Sequence, residues 1–333
     1  MNRKSRPTPP LVYRGAAGPE PGGLAAFPGE VPPPAGVRYP QILRGASYAW
    51  WRSALGVVLA VSLFVLTTQV VASAVIAVGY AVDRPPGSLA AYTAAGYRFE
   101  HPVGMLAQNL AIAALIPLSW FLITVVHRVR PRWLSSVQPR LRWRYLLVCA
   151  GAAIIILNGV VIVSKLAASG PGLAPQAGVA GFIAVIILTS PLQAAAEEYL
   201  FRGYLLQALG SLAANPWFGV VASSLLFALF HGGQNLPLFL NRLGFWLLAA
   251  ILVLKTGGLE AGIGAHIVNN LSAYSWAALT STVADLRAVR DIGWLDSGLG
   301  LVGFALFTLA ALLLARGLRL RTHTPATGLE TAR

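Results

Sequence analysis

Residues 179–209 read VAGFIAVIILTSPLQAAAEEYLFRGYLLQAL. No charge occurs from Val179 to Ala196. An uncharged apolar run of that length is enough to cross a hydrocarbon core of ~30 Å as a helix. Then Glu197 and Glu198 follow side by side, in a stretch that is otherwise apolar apart from Arg202. Each carboxylate placed inside a span costs roughly 2.5–3.5 kcal/mol on insertion scales. A chain that keeps two of them there needs a structural or chemical reason.

Outward from this stretch the pattern repeats. The chain has 333 residues, 56% hydrophobic and only 11% charged, whereas a soluble domain carries about a quarter charged residues. Eight candidate spans follow, at about Ala54–Val82, Val103–Val126, Tyr145–Leu166, Val179 to the stretch around Leu209, Trp217–Phe230, Leu236–Leu254, Leu259–Leu279 and Leu299–Leu314. Backbone groups in lipid must be paired within the span, and none of these runs has the period-two alternation of a barrel strand. The fold class expected is an all-α membrane protein, a polytopic bundle of about eight transmembrane helices.

Residues 1–45 are rich in Pro and Gly with scattered Arg, and are expected to be a disordered basic cytoplasmic tail. Residues 46–320 are expected to form the membrane domain and residues 321–333 a second cytoplasmic tail. The net charge is +14. Most of the positive charge flanks the spans, which accounts for it as a topology signal, so nucleic acid is not expected as a partner. Arg3, Lys4, Arg6, Arg14, Arg38, Arg44 and Arg52 fall on the same side as Arg128, Arg130, Arg132, Arg140, Arg142 and Arg144 and as Arg316, Arg319 and Arg321. Both termini are therefore expected in the cytoplasm, with the chain in the plasma membrane. Cys149 stands alone, so no intrachain disulfide is possible.

The polar residues inside the spans are few. Arg202 lies four residues after Glu198, so the two share a helix face and can pair, while Glu197 points about 100° away. His231 closes the fifth span in FALFHGGQN, four residues after Phe227. His266 lies inside the seventh, four residues before Asn270. At 1.5 Å rise per residue, Glu197 is roughly 20 Å from Gly210, His231 roughly 22 Å from Pro216, His266 roughly 12 Å from Gly258, and Asn270 roughly 18 Å. These depths allow one site buried below the cytoplasmic surface.

Such a set suits peptide hydrolysis without a covalent intermediate. A carboxylate held in a low-dielectric cavity can act as a general base. A neighbouring His can help hold a water, and a second His with an Asn can donate hydrogen bonds to the oxyanion formed when water adds to a carbonyl. Glu197-Glu198-x-x-x-Arg202, Phe227-x-x-x-His231 and His266-x-x-x-Asn270, in that order, resemble the three motifs of the CPBP intramembrane peptidases, which include type II CAAX prenyl endopeptidases and bacterial Abi proteins. The motif core spans about Leu188 to Ala278. The resemblance implies Glu197 as general base helped by His231, His266 and Asn270 as oxyanion donors, and Glu198, Arg202 and Phe227 as supporting residues. The family has been described both as zinc enzymes and as metal-independent glutamate peptidases. A zinc site drawn from Glu197, His231 and His266 is the alternative, but nothing in the spacing demands a metal, and no cofactor is expected. The partners expected are the lipid bilayer and a membrane-associated protein or peptide substrate.

Two other classes compete. A non-catalytic scaffold or bacteriocin-immunity-type protein on the same fold would keep its role without Glu197. A proton-coupled transporter would also use Glu and His, but the chain shows no inverted repeat.

Overall fold

The computed structural model describes residues 29–167 and 172–325, without the side chains of 164–167. The tails expected over 1–28 and 326–333 lie outside the described residues. Twelve helices follow one another among the described residues: α1 Trp50–Asp83, α2 Leu89–Tyr97, α3 Pro102–Ala113, α4 Leu115–His127, α5 Trp143–Ala167, α6 Val179–Glu197, α7 Leu206–Leu212, α8 Trp217–Phe230, α9 Leu236–Thr256, α10 Glu260–Thr280, α11 Val283–Ala288 and α12 Trp294–Gly317. Among the described residues the only β-pairings are two isolated bridges, Arg38–His323 and Ser136–Gly258.

Six helical stretches are long and apolar enough to cross a membrane: Trp50–Asp83, Pro102–His127, Trp143–Val163, Val179–Leu212, Leu236–Thr256 and Trp294–Gly317. The other two expected spans are α8, which is short, and α10, whose Glu260, His266, Asn269 and Asn270 lower its hydropathy. The bundle is packed inside out relative to a soluble protein. On α1 the buried positions are Ser53, Gly56, Ala60, Ala72 and Ile76, while Val58, Val65, Leu66, Val70 and Val78 face outward. Small residues inside let helices approach, and large apolar residues outside meet lipid tails.

One end of the bundle gathers the arginines. There the backbone N–H of Val137 donates to Gly257 O and that of Leu259 to Ser135 O. The Arg142 guanidinium grips Glu260 twice, Nη2 to Oε2 at 2.6 Å and Nε to Oε1 at 2.8 Å, and Nη1 donates to Thr256 O at 2.9 Å. This buried latch ties the loop before α5 to the turn between α9 and α10. Sequence reasoning did not single out Glu260.

The tail expected to be disordered over 1–45 is packed from Gly29 onward. Tyr39 and Ile42 are fully buried. Tyr39 donates to Leu134 O, and Arg44 Nε to Ser211 O at 2.9 Å. Thr324 N donates to Val37 O at 2.9 Å, so residues 321–325 join the same layer. A composition averaged over forty residues hides the apolar group Tyr39, Pro40, Ile42 and Leu43, which buries enough surface to order the segment.

The fourth span is one long helical run through α6, a π-helical segment at Glu198–Leu205, and α7. Then α8 crosses back so closely that a Cβ on Gly219 would meet Leu206 O at 2.6 Å and Gly210 Cα at 2.7 Å. Gly219→Ala is therefore expected to destabilise the protein by about 1–3 kcal/mol, because backbone must move; unfolding in mixed detergent micelles checks this. Helix α8 has 14 residues and so rises about 21 Å, less than the hydrocarbon thickness. It ends at His231, after which Gly232 takes a positive φ of 72° that favours glycine. His231 is half-buried where the helix stops.

Candidate active site

The two adjacent glutamates have different environments. Glu198 is fully buried and pairs with Arg202, four residues on. Its Oε1 also faces His266 Nδ1 at 2.8 Å. Arg202 lies flat beneath an aromatic ceiling, with its guanidinium carbon 3.7 Å from the Trp246 ring centroid and 5.3 Å from that of Phe245. A stacked guanidinium keeps its charge while its flat face is covered by a ring.

Glu197 takes no part in that pair. Its Oε2 stands 3.3 Å from His266 Nε2, and its side chain keeps 13% of its surface exposed against 0% for Glu198. His266 is thus clamped between the two carboxylates, one on each ring nitrogen. Glu198 accepts from Nδ1–H, which fixes the tautomer.

Asn270 lies one turn beyond His266 and donates from Nδ2 to Gln193 Oε1 at 2.9 Å. Gln193 is also within hydrogen-bonding reach of Glu197. It bridges α6 and α10 across the site. His231 is not in direct contact with either glutamate or with His266. Its Nδ1 faces Phe227 O at 3.1 Å and its ring lies 4.4 Å from that of Phe227. Phe227 stacks on Trp246, with centroids 3.1 Å apart, and the edge of Trp246 meets His266 at 5.7 Å. His231 is therefore one aromatic layer away from His266, close enough to interact electrostatically with it.

Two residues missed in the sequence belong here. Gln193 lies four residues before Glu197, and Tyr274 four after Asn270. Tyr274 is within electrostatic reach of Glu197, Arg242 and Arg287. Both follow from extending the i, i+4 stripe by one turn. Trp246 carries no such signal, since it lies in the apolar run 243–254 of α9.

The site is packed tightly towards the arginine end. Glu260 through His266 are all buried, as are Glu198, Tyr199, Arg202 and Arg142. From Asn269 to Ser275 the same helix is half-buried, so packing is looser towards the end of the bundle that carries α11.

Residues 179–272 match the family model for the type II CAAX prenyl endopeptidase Rce1-like proteins. Over this segment the chain is similar to the CPBP/CAAX proteins. The match holds α6, the π-helical segment, α7, α8, α9 and the first half of α10, which between them carry all three CPBP motifs. The chain is also 35% identical over 95 residues to the uncharacterized protein YyaK of Bacillus subtilis (strain 168), covering 27% of this chain and 32% of that one. The aligned region thus spans about a third of the length of this curated relative. Helices α1 to α5 lie outside the family match.

Proposed function

We propose that this protein is an intramembrane endopeptidase in which Glu197 activates a water for attack on a peptide bond. The observation that carries this reading is the division between the glutamates: Glu198 is committed to Arg202 and His266, while Glu197 keeps part of its side chain exposed beside His266 Nε2. In the reaction, water adds to the substrate carbonyl as Glu197 takes its proton, with His231 helping to hold the water. His266 and Asn270 donate to the resulting oxyanion. The tetrahedral species then breaks its C–N bond and Glu197 returns the proton to the leaving amine. The substrate is a membrane-associated protein or peptide, of the CAAX type or one processed by related chemistry.

A zinc mechanism on Glu197, His231 and His266 needs those three donors at one point. Among the described residues no three His, Cys, Asp or Glu side chains stand close enough to hold a metal. The arrangement of donors does not fit zinc, and no step is routed through it. Hydrolysis is expected to persist in chelator, with substoichiometric zinc by elemental analysis; loss of activity that only added zinc restores would reverse this assignment.

The arginine end, with Arg128, Arg130, Arg132, Arg140, Arg142 and Arg144, is placed in the cytoplasm together with both termini. The direct test of the function is to incubate reconstituted protein with a peptide library and read new termini by mass spectrometry. No product above a protein-free control would end the peptidase reading.

A further inference from the structure

Three arginines gather at the end of the bundle that carries α11. Arg242 sits two turns into α9, Arg287 is in α11, and Arg290 follows it. The segment that carries Arg290 is tied to the start of α9, with Asn235 N donating to Arg290 O at 2.9 Å and Asn235 Nδ2 to Ile292 O at 2.9 Å. The turn into α11 is pinned by Val283 N donating to Gln176 Oε1 at 2.8 Å. Val283 is buried against Phe99 and Phe182, and one turn later the Arg287 guanidinium lies 5.2 Å from the Phe99 ring centroid. These ties hold the three cations together, within electrostatic reach of one another and of His231. Arg287 also reaches Glu197 and Tyr274.

Nothing in the fold explains them. No carboxylate stands within ion-pair distance of any of the three among the described residues. Arg242 bonds only the neutral Gln234, at 2.7 Å, and Arg290 only backbone carbonyls. Of the acids in these segments, Asp285 caps α11 through Thr282, Glu100 pairs with Arg98, and Asp83 accepts from Tyr92, while Asp291, next to Arg290 in the chain, is exposed and makes no ion pair with it. Topology does not require them either, since they stand at the end opposite the arginine-rich loops. Three unpaired guanidiniums repel one another, and the arrangement is relieved when an anion sits among them.

We propose that Arg242, Arg287 and Arg290 form an anion subsite that holds a carboxylate of the peptide substrate beside the candidate active site. This rests on the peptidase reading for its purpose but not for its test. The carboxylate is supplied by the substrate's C-terminus or by an acidic side chain.

Binding is measured on Glu197→Gln protein in nanodiscs, with degenerate apolar peptides in three forms: free C-terminal acid, C-terminal amide, and amide with one internal Glu. Retained peptides are read by mass spectrometry. Acid peptides are expected to be enriched roughly ten-fold or more over plain amides, and the third form tells a side chain from the C-terminus. Arg242→Gln/Arg287→Gln should erase the enrichment, and the exposed pair Arg287→Gln/Arg290→Gln should weaken it in a protein with an unchanged melt. Equal retention of all forms overturns the subsite. So does a dependence on the arginines seen only as binding of phosphatidylglycerol and not of peptide. Cleavage by the unmutated protein is scored separately: enrichment without cleavage keeps the subsite and removes the peptidase, while cleavage without enrichment does the reverse.

Discussion

Glu197→Gln is expected to lower hydrolysis by a factor of about 10²–10⁴, the usual contribution of a positioned general base, while leaving the thermal midpoint unchanged. The second half of that expectation is the more demanding one. A buried glutamate normally resists substitution because a partner is left stranded. Here the partner of Arg202 is Glu198, and the neighbours of Glu197 are His266 Nε2 and the Gln193 amide. A carboxamide of the same shape keeps hydrogen-bonding groups towards both. The measurement is a pair: initial rate on any peptide the unmutated protein cleaves, and a melt in the same detergent. A variant that retains full activity removes Glu197 from the mechanism. It would favour a scaffold on the same fold, for which the carboxylate is dispensable.

The membrane fold was legible because lipid imposes one rule on every span. Apolar length located the six long segments, while α8 and α10 form helices but fall short of the criterion in length or hydropathy. The site was legible because charge inside a span is rare, so Glu197, His231 and His266 stood out against their surroundings. What stayed hidden depends on three-dimensional packing. The π-helical turn at Glu198–Leu205 is a backbone choice enforced by neighbours, since π segments are rare and have no residue signature. Glu260 reads as a loop acid until Arg142 is seen closing on it across 118 residues of sequence. Which end of the site is the more tightly packed follows from side-chain burial, and helix depth cannot supply that.

Glu198→Gln is expected to do the opposite of Glu197→Gln, and to cost about 3–5 kcal/mol in stability. It leaves the Arg202 guanidinium fully buried with no counter-charge, and its Nε and Nη2 already have no hydrogen-bond partner. Trp246 beneath it offsets part of the loss, since a desolvated cation over an indole contributes up to about 2 kcal/mol. The double variant Glu198→Gln/Arg202→Met removes both charges and should recover most of the melt, because replacing a buried pair by apolar volume is close to neutral. Activity should not recover with it. His266 Nδ1 would then face a neutral amide in place of a carboxylate, and the ring would lose the acceptor that turns Nε2 towards Glu197. A double variant that regains both stability and rate would show that Glu198 serves only to neutralise Arg202. One that regains stability alone assigns it the further task of orienting His266 for the carboxylate next to it in the chain.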